Sequence, residues 1–393
     1  MKILFWLSIG LDRRTPSEHL LTAIVQKLCE QGHCVHIIQK ETGGQLPKIP
    51  EVLHDLPVTT ECIHVRQAKK NNFIARYLVD VVYVLKCCSA LRNCKDCGAV
   101  FNQSSNVAGL MVYALRCILP GRPVTFNVQD IFPENAVYSG SIKAGGLAYR
   151  LLAAQQRYAY RKAENIITIS EDMKQQLVEC GAASDKVTVV YNWSYQDEPY
   201  NPNHMEHPEI RKLFSEDKFN VVYAGNIGMM QNVDVVVEAA RLMDEPDVHF
   251  HIIGDGLYKN KLLEAARGLD NISFWPMQPS SLAPNIYAMA DVNVIPLAEG
   301  IYKTALPSKT ATCLACQKPI IFAIGRESSF GQTAQEKTGC IVTGSNDPEG
   351  LVKAVKKCRQ GYSCSTVEWF RERFLKNKNS KEYAGIIFSG ITE

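Results

Sequence analysis

Apolar residues in the first half of the chain alternate between short runs and longer stretches with helical spacing. The pattern predicts a strand over 2–9, a glycine turn over 10–14 and a helix over 16–31. It then continues with strands that are separated by helical stretches, at 35–38, 99–102, 124–128 and 166–169. Such alternation is typical of a parallel sheet that is covered by helices on both faces.

The second half repeats this pattern after an interruption. Between Asn192 and about Pro208 the residues are mainly Trp, Tyr, Pro, Asn and His, which is the composition of a linker. From about Phe219 onward, strands are predicted at 220–223, 248–253, 272–274, 292–295 and 319–323. We therefore predict an α/β protein with two doubly wound, Rossmann-like domains that face each other across a cleft. Ligands of such sheets bind beyond the carboxyl ends of the strands.

The apolar start of the chain is interrupted early by charge. Charged residues at 12–14 follow the first apolar run without a small-residue cleavage site, so a buried strand is predicted rather than a signal peptide. Next, Thr15, Pro16 and Glu18 predict the start of a helix, with a threonine cap, a proline in the first helical position and a glutamate that closes a capping box.

Composition and charge exclude several classes of protein. With 46% hydrophobic and 21% charged residues, the 393-residue chain is an ordinary folded protein that is long enough for two domains. A net charge of +3 does not indicate nucleic acid as a partner. The fourteen cysteines, without a secretory signal, predict reduced thiols in the cytoplasm. Cys94 with Cys97, and Cys313 with Cys316, have the spacing of metal ligands, but a helical turn often produces this spacing and packing roles are favoured.

Two glycine turns in the second half follow predicted strands. They are Gly225-Asn226-Ile227-Gly228 and Gly254-Asp255-Gly256. Glycine at such a turn lets backbone amides approach a phosphate group at the start of a helix. The alternative is that any tight turn between a strand and a helix favours glycine.

A third segment, over 296–321, carries a more specific pattern. A strand ends at a loop that contains Lys303 and Thr304, and Pro307-Ser308 begins a helix. Lys309 lies in the first turn of that helix, where it adds a full positive charge to the positive end of the helix dipole. That arrangement suits a diphosphate leaving group. The alternative is a solvated lysine on a surface helix.

Taken in chain order, these features resemble glycosyltransferase family 4, whose members have the GT-B fold. The resemblance covers nearly the whole chain and rests on Gly32-His33, Ile169-Ser170-Glu171, Val189-Val190-Tyr191-Asn192, Tyr223-Ala224-Gly225-Asn226-Ile227-Gly228, Ile253-Gly254-Asp255-Gly256, Leu306-Pro307-Ser308-Lys309 and Lys318-Pro319. The segment Gln129-Asp130-Ile131-Phe132-Pro133-Glu134 also resembles the Asp-Leu-Trp-Pro signature of the bacterial subgroup that includes the fucosaminyltransferase WbuB.

The chain departs from the family pattern at its charged positions. The family usually carries two glutamates eight positions apart, and here those positions hold Thr304 and Thr312. The Arg and Lys that usually follow the second-domain glycine turn fall near Asn226 and Gln231, which cannot neutralise a phosphate. With these residues absent, the candidates for contact with the diphosphate are Lys309, Lys303, backbone amides and helix ends. Glu299 is the nearest remaining carboxylate, either a contact for donor hydroxyls or an ordinary surface glutamate.

The resemblance implies a retaining sugar transfer from a nucleotide diphosphate donor. The donor would bind a second domain over 209–368 and the acceptor a first domain over 1–195, onto which 369–393 packs back. No metal and no other cofactor is implied, because cations and helix dipoles replace a metal at the diphosphate. The implied donor is a UDP-linked N-acetyl amino sugar, such as N-acetyl-L-fucosamine. The implied acceptor is a lipid-linked saccharide of O-antigen or capsule assembly.

The candidate site residues follow from the motifs and from this resemblance. Asp130 comes after a buried strand, where it could orient the acceptor hydroxyl or receive its proton; the alternative is a cap before Pro133. Asp130, Lys309 and Glu299 are the predicted catalytic residues. The predicted substrate-binding residues are Gly10, Gly225, Asn226, Gly228, Gly254, Asp255, Gly256, Lys303, Thr304, Pro307, Ser308 and Thr312.

A basic and apolar segment over 66–95 raises the question of a membrane. It holds seven basic residues and one acid, Asp80. Charges within the apolar stretch 73–91 argue against a membrane span. We expect a partly buried helix whose basic ends, with Arg150, Arg157 and the neighbouring Arg161 and Lys162, contact the cytoplasmic face of the inner membrane peripherally.

Two other functions remain open from the sequence. A non-hydrolysing UDP-sugar 2-epimerase uses a similar scaffold, but none of the nine histidines lies in a matching motif. A non-catalytic subunit that binds nucleotide sugars is favoured by the absence of the two glutamates.

Overall fold

The computed structural model describes residues 1–12, 17–44, 46–68, 73–214 and 216–389. The chain forms two compact units. Unit 1 comprises Met1–Tyr191 and Lys376–Glu393, and unit 2 comprises Asn192–Leu375. The predicted helix cap at Thr15 and Pro16 lies outside the described residues.

Unit 1 is built on a seven-stranded sheet. Its strands are β1 (Lys2–Trp6), β2 (Cys34–Thr42), β3 (Val58–Val65), β4 (Cys97–Gln103), β5 (Val124–Val128), β6 (Asn165–Thr168) and β7 (Val187–Val189). They lie in the order β3-β2-β1-β4-β5-β6-β7, and each neighbouring pair is parallel. The register places Ile3 beside Val35 of β2 and Ala99 of β4. β1 ends at Trp6 rather than at residue 9, because the chain bends away at Ser8.

Six helices connect these strands. They are α1 (Glu18–Glu30), α2 (Phe73–Arg92), α3 (Ala108–Ile118), α4 (Glu134–Tyr138), α5 (Leu147–Lys162) and α6 (Glu171–Glu179). The apolar face predicted for α1 is buried, including Leu21, Ile24 and Leu28. Ser170 caps α6, since its hydroxyl accepts a hydrogen bond from the Met173 amide at 3.2 Å.

Unit 2 repeats the arrangement with six strands. They are β8 (Phe219–Ala224), β9 (Val248–Ile253), β10 (Ile272–Trp275), β11 (Val292–Pro296), β12 (Ile320–Ala323) and β13 (Ile341–Thr343). The order is β10-β9-β8-β11-β12-β13, again parallel throughout. The helices are α7 (Pro208–Arg211), α8 (Asp234–Leu242), α9 (Lys259–Ala265), α10 (Ala283–Met289), α11 (Lys309–Ala315), α12 (Ser329–Thr338), α13 (Pro348–Arg359) and α14 (Val367–Arg373). The predicted fold class, two doubly wound α/β sheets, is confirmed.

The last helix, α15 (Lys376–Ser389), returns to unit 1. Successive right-handed crossovers from β3 through β7 run in one direction and put α2, α3 and α5 on the same face of the sheet. On the opposite face, α1 does not cover β4, β5 and β6, so that part of the sheet would be exposed without another helix. Helix α15 contacts α1 and these three strands, and its Tyr383 and Ile387 are buried there.

The division between the units differs from the predicted boundaries at both junctions. Residues 369–375 belong to unit 2, because Trp369 packs against Phe330 at 5.6 Å and Phe374 at 5.0 Å between ring centroids. The predicted linker also belongs to unit 2, because the Tyr200 amide donates to the Ala315 carbonyl at 2.8 Å. The return to unit 1 therefore begins at Lys376 and not at residue 369.

Burial is concentrated in the central strands of each sheet. The residues Ile3 to Trp6 of β1 are fully buried, as are Val221 and Phe250 in β8 and β9. None of the helices within the described parts of the chain is long and apolar enough to cross a membrane.

Candidate functional site

The strand order of unit 2 creates a crevice beside β8. The chain leaves β8 toward β9 on one side and leaves β11 toward β12 on the other, so β8 and β11 form a topological switch point. Ligands of doubly wound sheets bind at such a point, outside the carboxyl ends of the strands. The loop over 225–233 follows β8 and the loop over 297–308 follows β11. The structure therefore brings most of the predicted donor-site residues to one edge of one sheet.

The two glycine turns of unit 2 are packed against each other through their backbones. A Cβ atom on Gly254 would lie 1.9 Å from the Gly225 carbonyl oxygen, and one on Gly256 would lie 2.1 Å from that of Ile227. The Ile227 amide donates to the Asp255 carbonyl at 2.8 Å. Gly254 and Gly256 are therefore required for close packing, whether or not a ligand binds nearby.

The first turn also lies against the Lys309 side chain. Gly225 has a φ of 143°, and a Cβ atom there would lie 2.6 Å from Lys309 Nζ. The amides of Gly225 and Ile227 are bonded to the backbone of the β9 loop region, at 2.9 and 2.8 Å. Among the described residues no such bond is made by the amides of Asn226 and Gly228, so these donors remain available.

Lys309 is held above an aromatic ring. Its Nζ atom lies 3.9 Å from the centroid of the Tyr223 ring, a cation–π contact, and the Tyr223 hydroxyl donates to the Asn226 carbonyl. Burial lowers the pKa of Lys309 to about 8. In the described parts of the chain no carboxylate pairs with this ammonium group. Lys309 is therefore half-buried and held close to the Tyr223 ring, with no carboxylate partner in the described parts of the chain.

The remaining predicted residues of the β11 loop and of α11 differ in their exposure to solvent. Lys303 is exposed, with Nζ 5.9 Å from the Tyr302 ring. Thr304 is buried, and its hydroxyl donates to the Ile301 carbonyl at 3.2 Å. Thr312 is also buried, on α11. Pro307 is partly exposed and Ser308 exposed directly before that helix.

Glu299 is exposed and belongs to a hydrogen-bond chain between three loops. Its carboxylate accepts from Asn346 Nδ2 at 3.5 Å, and Asn346 Oδ1 accepts from Asn232 Nδ2 at 3.0 Å. Asn232 has a φ of 44°, a left-handed conformation that asparagine tolerates better than most residues. Sequence reasoning missed both asparagines, since they are far apart in the chain and share no motif with Glu299.

Sequence reasoning also missed Lys259, which lies next to the second glycine turn. Its Nζ atom donates to the Gly254 carbonyl at 2.9 Å and approaches the Trp275 carbonyl at 3.5 Å. This lysine is therefore occupied in joining the ends of β9 and β10. Asp255 is likewise engaged, because its carboxylate accepts from the Gly256 amide at 2.8 Å.

In unit 1, Asp130 follows β5 at its carboxyl end, as predicted. The residue reaches solvent, but protein packed around the carboxyl group raises its pKa to about 6, against the opposing effect of a hydrogen bond that Asn135 Nδ2 donates at 3.2 Å. The β5 side chains behind it are braced by α15. The Tyr383 hydroxyl donates to Asn127 Oδ1 at 3.1 Å.

Gly10 lies after β1 in the same unit. A Cβ atom there would lie 2.9 Å from the Pro47 side chain and 3.3 Å from the Lys40 carbonyl oxygen. Close packing against the segment that follows β2 therefore explains this glycine without a ligand.

The cysteines with ligand-like spacing are all buried. Cys313 and Cys316 are buried on and beside α11, and Cys94 and Cys97 are buried at the end of α2 and the start of β4. Over the described ranges no group of three or more His, Cys, Asp and Glu side chains is arranged to hold a metal ion.

Comparison with known proteins assigns both units. Residues 17–193 match the model for "Glycosyltransferase Family 4", and residues 218–360 match the model for "Glycosyl transferases group 1". The chain carries glycosyltransferase family 4 and group 1 domains. The coarse part of the predicted resemblance is thereby confirmed.

Relatives of this glycosyltransferase chain include two bacterial proteins. It is 24% identical over 330 residues to the probable glycosyltransferase WbjE of Pseudomonas aeruginosa, covering 81% of this chain and 82% of WbjE. It is 31% identical over 253 residues to WcaI of Escherichia coli (strain K12), a glycosyl transferase assigned to colanic acid biosynthesis, covering 62% of this chain and 60% of WcaI.

Solved structures show the same fold. Anabaena HepE, crystallised in complex with UDP-glucose, superposes with a TM-score of 0.70 at 14% sequence identity, covering 99% of this chain and all of the HepE chain. The two parallel sheets of this glycosyltransferase chain thus have the GT-B architecture that the resemblance implied.

Proposed function

We propose that this chain is a retaining glycosyltransferase that moves a sugar from a UDP-linked donor to a lipid-linked saccharide. The observation that carries the proposal is Lys309, a half-buried cation at the switch point of unit 2 that has no carboxylate partner among the described residues and whose pKa burial lowers to about 8. A desolvated cation is costly to maintain, and an anion that binds beside it offsets that cost. The diphosphate of a nucleotide sugar is an anion of the right charge and size.

The donor would place its diphosphate between Lys309 and the turn after β8. The amides of Asn226 and Gly228 face no other partner among the described residues and can donate to phosphate oxygens. Lys303, exposed on the β11 loop, supplies a second cation. HepE, which shares this fold, is known in complexes with UDP and with UDP-glucose, and this favours UDP as the carrier.

The proposed reaction breaks the bond between the anomeric carbon and the phosphate oxygen. Negative charge then grows on the departing UDP, and Lys309 stabilises it without a metal ion. The acceptor hydroxyl forms the new bond on the same face of the sugar, so the anomeric configuration is retained. Its proton passes to Asp130, whose pKa of about 6 keeps it ionised at neutral pH. Glu299 accepts hydrogen bonds from donor hydroxyls.

The proposed donor sugar is an N-acetyl amino sugar, and N-acetyl-L-fucosamine is the first candidate. The support is the segment 129–134, which resembles the WbuB-like subgroup. The similarity to WcaI, which is named for colanic acid biosynthesis, supports a place in the assembly of a bacterial surface polysaccharide such as O-antigen or capsule. The enzyme would work in the cytoplasm, peripherally on the inner membrane.

A donor screen tests the proposal. The full chain is incubated with UDP-N-acetyl-L-fucosamine, UDP-N-acetylglucosamine and UDP-glucose, with and without a lipid-linked saccharide extract, and released UDP is measured. We expect UDP release that depends on acceptor, and a product whose anomeric configuration by NMR matches the donor. Conversion of the donor to its 2-epimer would instead show an epimerase. Binding of UDP without release from any donor would show a non-catalytic subunit.

A further inference from the structure

An apolar stripe runs along the outward side of α2. The side chains of Ile74, Leu78, Val82 and Leu85 are 70%, 57%, 45% and 66% exposed. Their spacings of four, four and three residues place them on one side of the helix. The opposite side, which includes Tyr83, is buried against the sheet. The sequence alone predicted a partly buried helix whose basic ends contact a membrane, but not this long exposed apolar side.

Helix α5 contacts α2 and carries two further exposed apolar side chains. Leu147 and Leu151, one helical turn apart, are 76% and 63% exposed. The two helices touch, because the Tyr77 hydroxyl of α2 donates to Gln155 Oε1 of α5 at 3.0 Å. Phe73 and Leu152 share a small apolar cluster beneath this contact. The six exposed side chains, Ile74, Leu78, Val82, Leu85, Leu147 and Leu151, are called the apolar face below.

The exposed charged side chains of α2 and α5 are all basic. The exposed basic residues are Arg76, Lys86 and Arg92 on α2, and Arg150, Arg157, Arg161 and Lys162 on α5. Helix α5 contains no acidic residue. The single acid of α2, Asp80, is buried and its carboxylate pairs with Lys40 at 2.7 Å. Apolar side chains bordered by cations are the chemistry of a surface that lies on anionic lipid headgroups.

We propose that the apolar face docks unit 1 onto the surface of an anionic lipid bilayer. A second copy of the chain fits the same face poorly, because two such faces would bring their cations together and repel. A bilayer instead offers acyl chains to the leucines and phosphate groups to the arginines. The helices would lie in the headgroup region and would not span the membrane.

The apolar face is linked to the candidate acceptor residue. The Tyr149 hydroxyl of α5, between Leu147 and Leu151, donates to Glu134 at 3.0 Å. Glu134 begins α4, and the next residue, Asn135, donates to Asp130. Docking would therefore bring the saccharide of a lipid-linked acceptor to the level of Asp130. This last step rests on the proposed function, whereas docking itself does not.

Sedimentation with vesicles tests the proposal with the full chain. Vesicles of phosphatidylcholine alone are compared with vesicles that also contain phosphatidylglycerol, at 0.1 M and 1 M salt, where the screening length is about 10 Å and about 3 Å. We expect binding to the anionic vesicles at low salt and much weaker binding in the other conditions. Equal binding to neutral and anionic vesicles, or none to either, would overturn the proposal.

Variants locate the docking surface. The double variant Leu78→Glu and Leu151→Glu should lower the partition onto anionic vesicles about tenfold or more for each leucine. The matched control is Leu46→Glu with Val52→Glu, since these apolar residues of unit 1 are similarly exposed, at 67% and 50%, but lie on neither helix. The control should bind as the original protein does. Equal losses in both double variants would contradict docking through the apolar face.

A charge variant covers the case in which the leucine variant fails to fold. Arg150→Ser with Arg157→Ser should weaken vesicle binding about fivefold for each arginine removed. An unchanged partition would refute the proposal, as would light scattering that shows a dimer of the original protein dispersed by these changes. UDP binding, measured by calorimetry, should be the same in all variants. A protein that binds vesicles but releases UDP from no donor would sink the proposed function and leave docking intact.

Discussion

Replacing Lys309 with alanine tests the chemistry of the candidate site most directly. The pKa of this lysine falls from 10.5 to about 8 on burial. Since each pKa unit corresponds to about 1.4 kcal/mol, burial disfavours the charged form by about 3 kcal/mol. Negative charge grows on the departing UDP in the transition state. If that charge offsets the cost of burying the ammonium group, the reaction is faster by about a hundredfold to a thousandfold. Removal of one group that stabilises a developing anion typically costs the same.

The assay is steady-state UDP release by the variant, with donor binding measured separately by calorimetry. Turnover should fall about a hundredfold or more, while the donor dissociation constant changes less, because most of the new charge appears only in the transition state. The matched control is Lys353→Ala, an exposed lysine of α13 in the same unit. Its turnover should be unchanged. Normal folding of Lys309→Ala with turnover within about threefold of the original would refute this role for the lysine.

Three further outcomes are expected. EDTA should leave UDP release intact, and loss of activity that magnesium restores would contradict a metal-free diphosphate site. The rate should fall as pH drops through about 6, where the Asp130 carboxylate takes up its proton, and Asp130→Asn should abolish this pH limb in a pH–rate profile. His251 is buried and its pKa is lowered to about 3, so the free energy of unfolding should fall by about 2–3 kcal/mol from pH 7 to pH 4.5, measured by urea denaturation. An unchanged free energy of unfolding, or the same fall in His251→Asn, would disprove this.

The sign of the His251 effect follows from its surroundings. Trp275 Nε1 donates to its Nδ1 at 3.2 Å, which leaves Nε2 to donate to Asn220 Oδ1 at 2.9 Å. The folded protein therefore holds the neutral ring, whereas the unfolded chain takes up a proton near the ordinary pKa of 6.5. Stability from this group is complete above that pH and is lost as pH falls toward 3.

The sequence was sufficient for the sheets because their strands are buried on both faces. Apolar runs such as 319–323 predict a central strand, and β12 lies there at Ile320–Ala323. The edge strands β3, β7 and β13 carry weaker apolar patterns and were not predicted. Lys309 was identified from its place after Pro307-Ser308. The position of Lys309 above the Tyr223 ring could not be predicted, since that contact depends on how two segments far apart in the sequence pack together.

The same limit explains the other misses. Trp369 was predicted to belong to the tail that returns to unit 1. Its large aromatic side chain is instead buried in unit 2, where it packs against Phe330. Sequence spacing placed α2 correctly but could not tell which of its apolar sides meets the sheet. Asn232 and Asn346 meet only because the loops after β8 and β13 converge.

The return of α15 makes unit 2 an insertion within unit 1. Unit 2 is one uninterrupted segment of the sequence, 192–375, whereas unit 1 requires two segments, one that precedes unit 2 in the sequence and one that follows it. During synthesis, one face of β4 to β6 stays uncovered until the residues of α15 have left the ribosome. Unit 2 can therefore complete its core first, although it comes second in the chain. A fragment ending near residue 191 would display that bare sheet face, and co-expressed 376–389 would be the natural segment to cover it.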